Sequence, residues 1–195
     1  MVRASWKTAG FVVVLLTVVA FVPGVVCTAL GLPAVAGIAA LGAVSGMSAA
    51  VRGGWQIGLR AAGATGIACA LATLVVDRPW AAFLLFLVIG LRMAIAGSNG
   101  MWPAYVLVPI SAGFVLGEHP SVNAHPLLDA VIIGAVLTGA ATFAVLVTRV
   151  ALRERTLPRS PGLTRSRALA FGLTLGGLLG IAAVILEVFD LGHTG

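Results

Sequence analysis

An all-α polytopic membrane protein, with about seven transmembrane helices and a cytoplasmic amino terminus, is the fold class this sequence predicts. Three observations predict it: the scarcity of charge, the length of the apolar runs, and the sorting of the few charges present. Of 195 residues, 60% are hydrophobic and only 9% charged, and the mean hydropathy is +1.12. A soluble domain needs about 25% charged residues to face water. A chain so poor in charge must turn its surface to lipid.

Crossing ~30 Å of hydrocarbon takes about 20 largely apolar residues. Seven windows approach that length: 9–30, 33–51, 57–76, 79–96, 101–117, 127–148 and 168–189. Barrel strands are excluded, being about ten residues long and alternating in polarity. The first window has the basic start and apolar core of a signal peptide. It is long, however, and Val26 precedes Cys27 where a lipoprotein signal needs a small residue, so it reads as a retained helix whose end Pro23 makes ragged. "GLPAVAG" separates the first two windows, as a loop or a bend. Arg52 to Gly54, Asp77 to Pro79 and "GSNGMWP" make the next three breaks. "GEHPSVNAHP" precedes the sixth window, and an arginine-rich connection precedes the seventh.

If the spans alternate, Arg3, Lys7, Arg52, Arg60, Arg92 and the six arginines from Arg149 to Arg167 fall on one side. Arg78 alone falls on the other. Asp77, Glu118, Asp129, Glu187 and Asp190 share Arg78's side, leaving Glu154 with the bases. The positive-inside rule makes the basic side cytoplasmic, with Ser121 outside and Ser160 inside. The net charge of +6 thus meets anionic headgroups of the bilayer rather than nucleic acid. Cys27 and Cys69 lie in apolar segments and read as small core residues.

The stretch "LTRSRALAFGLTLGGLLG" holds Gly172, Gly176 and Gly180, four apart on one helix face. No lysine follows, so it is not a phosphate loop. Such spacing lets helix backbones approach in lipid, and Gly42 with Gly46 repeats it. Arg165 and Gly172 also align with Arg3 and Gly10, and 31–33 falls near 192–195. This predicts a six-span unit over 1–150, a basic cytoplasmic linker over 151–167, and the first span of an incomplete second unit over 168–195. The glycine face of that span would await a second unit or another copy of the chain.

"GLRAAGATGIACALATLVVDRPW", with Arg60, Gly63, Thr65 and Gly66, is similar to a motif commonly written R-x-x-G-T-x-x-G. "DRPWAAFLLFLVIGLRMAIAGSNGMWPAYVLVPIS" looks like the two spans that follow it. Nearly the whole chain resembles the fusaric acid resistance and aromatic acid exporter superfamily. Ala64 between Gly63 and Thr65, and the lack of an early Trp in span two, depart from its pattern. The large cytosolic domain of some members is missing too. The resemblance implies a repeated six-span unit, and aromatic or other carboxylates as cargo.

An ionisable group within a bilayer costs at least ~2.5 kcal/mol at the centre. Arg92 is therefore either a substrate-carboxylate contact or a snorkelling anchor. Asn99 lies where Gly97, Gly100 and Pro103 break the helix, freeing backbone groups that need protein or a watery cavity. Tyr105 and Trp102 are stacking platforms or an interfacial belt. Arg60 and Thr65 are helix-end anchors or pore lining. Arg92, Asn99, Tyr105, Arg60 and Thr65 make up the expected substrate site. Asp77 and Arg78 read as an external loop pair. The loop histidines, His119 and His125, read as exposed rather than metal-ligating. No nucleophile, base and orienting acid occur together, and no cofactor motif appears. The expected function is a secondary transporter exporting small organic acids across the cytoplasmic membrane. Its rivals are a membrane scaffold packing through glycine faces and an anion channel.

Overall fold

The computed structural model describes residues 6–122, 125–152 and 161–189, with side chains from Val14 onward except that of Glu187. Arg3, Glu154, Ser160, Asp190 and 191–195 lie outside the described residues, and with them part of the comparison between the two chain ends. All described elements are helical: α1 (Trp6–Ala29), a 3-10 turn (Pro33–Val35), α2 (Ala36–Gly53), α3 (Trp55–Val75), α4 (Pro79–Ser98), α5 (Trp102–Tyr105), α6 (Leu107–Glu118), α7 (Pro126–Leu152) and α8 (Arg165–Val188). Helix occupies every one of the apolar windows. Five runs, ending with α2, α3, α4, α7 and α8, are long and apolar enough to cross a membrane. The described apolar part of α1 (Val14–Ala29) and the α5–α6 run (Trp102–Glu118) are shorter.

The breaks have local causes. "GLPAVAG" is a true interruption: Gly31 adopts φ +78°, and Pro33 then opens the 3-10 turn. α1 continues through Pro23 to Ala29, one residue short of the end of the first window. At the end of α4, Gly100 takes φ +69°, Met101 N–H donates to Ala96 C=O (2.8 Å) and Gly100 N–H donates to Gly97 C=O (3.1 Å). This is a Schellman cap, which needs a left-handed residue after the helix. Pro109 has no N–H for the carbonyl of Tyr105, four residues back, and the helix divides there into α5 and α6.

Small residues set the pairing and direction of the helices. A Cβ on Gly42 would lie 3.0 Å from Leu137 Cδ2, and one on Gly46 would lie 2.7 Å from Ala141 Cα. α2 and α7 therefore run parallel in close contact. Gly58 faces Val145 while Gly66 faces Thr138 and Gly134, so α3 is antiparallel to α7. Gly90 meets Gly172 and Gly176, and Gly180 meets Phe83, so α4 and α8 are antiparallel. With short turns joining α2 to α3 and α3 to α4, successive passes alternate. Arg52, Arg60, Arg92, Arg149, Arg165 and Arg167 gather towards one end of the bundle; Asp77, Arg78, Glu118 and Asp129 gather at the other.

One expectation is corrected. The face of Gly172, Gly176 and Gly180 does not wait for helices outside this chain, because all three are buried against α4. The α4 face that meets it is built from Gly90, with Ala94 and Gly97 following at four and seven residues, beside Phe83 and Phe86.

Candidate functional site

α3 and α4 follow one another in the chain yet do not pack closely along their length. The small face of α3 is held by α7 and that of α4 by α8, so bulkier side chains are left facing each other between them. The result is a cavity of about 560 Å³, within the range typical of small-molecule sites. Arg60, Ala64, Ile67, Ala68 and Leu71 form its α3 wall, and Leu85, Val88, Ile89, Arg92, Met93 and Ala96 its α4 wall. Each set recurs at three- and four-residue intervals and so occupies a single helix face. Tyr105 of α5 and Val108 of α6 close the back; Asn99 and Met101 contribute from the turn after α4.

Four expected site residues, Arg60, Arg92, Asn99 and Tyr105, thus surround one space. Arg60 lies five residues into α3 and Arg92 six residues before the end of α4. At 1.5 Å per residue, both are about 7–9 Å inside the same end of the bundle. Neither guanidinium has an ion-pair or hydrogen-bond partner among the described residues. Asn99 Nδ2 donates to the Ile95 carbonyl at 3.1 Å, leaving its second N–H and its carbonyl oxygen uncommitted by that bond. Two cations, an amide and a phenol within largely apolar walls suit an anion with an apolar body.

Thr65 is elsewhere. It is fully buried, its hydroxyl lies 3.1 Å from that of Ser45, and it donates to the Ala61 carbonyl at 2.9 Å. It is a polar clasp between α2 and α3, on the side of α3 turned from the cavity. Interhelical hydrogen bonds in membranes average about 0.6 kcal/mol and reach about 1.7 kcal/mol. We expect Thr65→Val to lower thermal stability by an amount in that range, measured by detergent-solubilised unfolding. Anion transport at permissive temperature should be retained; its loss would return Thr65 to the site.

Trp102 is committed as well, edge-on to Phe171 of α8 with ring centroids 6.1 Å apart, and does not line the cavity. The Arg149 guanidinium lies 4.6 Å from the Trp55 ring centroid, tying α7 to the start of α3 by a cation–π contact. At the opposite end, the Asp129 carboxylate accepts the Val122 N–H at 3.1 Å and holds the loop before α7. Cys27 and Cys69 are buried free thiols of the core.

Sequence reasoning missed the aliphatic lining and the common face that unites it with the arginines. The spacing of Leu85, Val88, Ile89 and Arg92 was the available signal, but it equally fits a packing face. No family model, curated protein or solved structure matches the chain. The likeness to the exporter superfamily therefore rests on its motif residues alone.

Proposed function

We propose that the chain is a secondary transporter that exports small organic acids, aromatic ones included, across the cytoplasmic membrane. One observation carries this reading: two guanidinium groups, without partners among the described residues, line a single apolar-walled cavity. Both side chains are exposed on the protein, and a cation held within the depth of a bilayer is costly unless it meets a partner, which a ligand carboxylate supplies. The planar fork of arginine binds a carboxylate through two parallel hydrogen bonds. Tyr105 offers a ring for stacking and a hydroxyl for a third bond. The scaffold reading loses its main support, since the glycine faces of α2 and α8 are occupied within the chain.

The reading includes seven spans with the basic end in the cytoplasm. It is tested first by efflux of radiolabelled benzoate from vesicles holding the purified chain. Efflux above that of empty vesicles, saturating with concentration, is the expected result; none for benzoate or for aliphatic acids would refute it. Topology is tested separately with Ser121→Cys and Thr164→Cys in a background lacking Cys27 and Cys69. An impermeant maleimide should label the first from outside and the second only after permeabilisation. Labelling of both from one side would overturn the alternating arrangement.

A further inference from the structure

The cavity opens sideways. Ile67, Leu71, Val88 and Ile95 line it and are also 65%, 43%, 57% and 53% exposed. Ile67 and Val88 stand near the middle of α3 and α4, at a depth where the surroundings of a spanning helix are acyl chains rather than water. The two cations, by contrast, stand together near one end. From Arg60 to Leu71 the α3 wall runs eleven residues, or about 16 Å at 1.5 Å per residue. From Arg92 back to Leu85 the α4 wall runs about 10 Å. Apart from the two arginines, every α3 and α4 residue on these walls is apolar. Charge at one end, a long apolar trough beyond it and an opening towards lipid match the outline of a single-chain amphiphile.

From this we infer that the cavity admits its ligand laterally from the bilayer, and that the ligand is a single-chain amphiphile with an anionic head. The head lies between Arg60 and Arg92, and the chain lies in the trough between α3 and α4. The inference rests on the proposed anion site and narrows its ligand class. A compact aromatic acid would fill only the arginine end and leave the apolar wall from Ile67 to Leu71 uncovered. A water-borne ligand would have no use for an opening at mid-bilayer depth. A straight-chain carboxylate meets both features, with apolar burial along the trough and charge-assisted hydrogen bonds at its head.

The test uses the full chain in phosphatidylcholine nanodiscs and a spin-labelled stearate, whose immobilised signal reports occupancy. Hexadecanoate should displace it at least tenfold more effectively than benzoate, and hexadecanol, with the same chain and no charge, at least tenfold less effectively than hexadecanoate. Val88→Trp should obstruct the opening and weaken hexadecanoate at least tenfold. Leu84→Trp, at an exposed position off the cavity lining, controls for a bulky lipid-facing side chain and should change nothing. Benzoate and hexadecanoate of equal potency, with Val88→Trp without effect, would overturn lateral admission and leave the anion site standing. Displacement by hexadecanol equal to that by hexadecanoate, together with full stearate binding in Arg60→Ala/Arg92→Ala, would overturn both.

Discussion

Arg92→Ala is expected to reduce organic-acid efflux at least tenfold while the protein still reaches the membrane. A hydrogen bond to a charged group is worth about 1.5–3 kcal/mol, which corresponds to roughly a ten- to hundredfold change. Arg92→Lys should fall between the variant and the native chain, because the positive charge remains but the bidentate fork is lost. Arg60 faces the same cavity, so Arg60→Ala should act in the same direction. The double variant should lose more than either alone. Full efflux in Arg92→Ala would mean that the guanidinium only reaches for headgroups, as long cationic side chains near helix ends do. That outcome would remove the observation on which the transport reading depends.

Gly176→Leu should force α4 and α8 apart. A Cβ there would lie 2.7 Å from the Phe86 carbonyl oxygen, 3.1 Å from Leu87 Cα and 3.2 Å from Gly90 Cα. These are backbone atoms of α4, which cannot turn aside as a side chain can, so the two helices must separate. Overpacking of an interior usually costs about 1–3 kcal/mol. The separation can be read directly with Gly97→Cys and Ala168→Cys in a background without native cysteines. A Cβ on Gly97 would stand 3.8 Å from that of Ala168, within the usual span of a disulfide. The native pairing should give an intrachain bond under mild oxidation, and Gly176→Leu should abolish it. A bond between two chains instead, unaffected by Gly176→Leu, would show that α8 packs on another copy after all.

Much of the fold was legible because bilayer thickness fixes a length that any apolar run can be measured against. The starts of α3, α4 and α7 fell within two residues of the windows, each marked by a local breaker: Gly54, Pro79 and Pro126. The one-sided gathering of arginines was equally plain from alternation. Partner choice was not legible. Gly172, Gly176 and Gly180 announce a close-packing face, but a face does not name what covers it. Gly90, Ala94 and Gly97 form a small-residue face on α4, but their spacing does not say that it belongs to α8. Thr65 shows the same limit, since one hydroxyl on α3 is compatible with a pore or with Ser45. The side of a helix on which a polar group falls has meaning only once its neighbours are known. The cavity is the clearest example, because it arises from where α3 and α4 fail to meet.

The antiparallel pairing of α4 and α8 carries an electrical consequence. Aligned peptide dipoles leave about half a negative charge at a helix carboxy terminus and half a positive charge at an amino terminus. The end of α4 adjoins the cavity that holds Arg60 and Arg92, and bare carbonyls there would repel an arriving anion. Instead, Gly100, Met101 and Leu163 all donate N–H groups to the last carbonyls of α4, Leu163 reaching Gly97 at 3.0 Å. Leu163 also leads directly into α8, whose positive pole and first-turn Arg165 and Arg167 stand beside the negative pole of α4. The two fields oppose one another at short range, so the potential at that end of the cavity is left to the arginines.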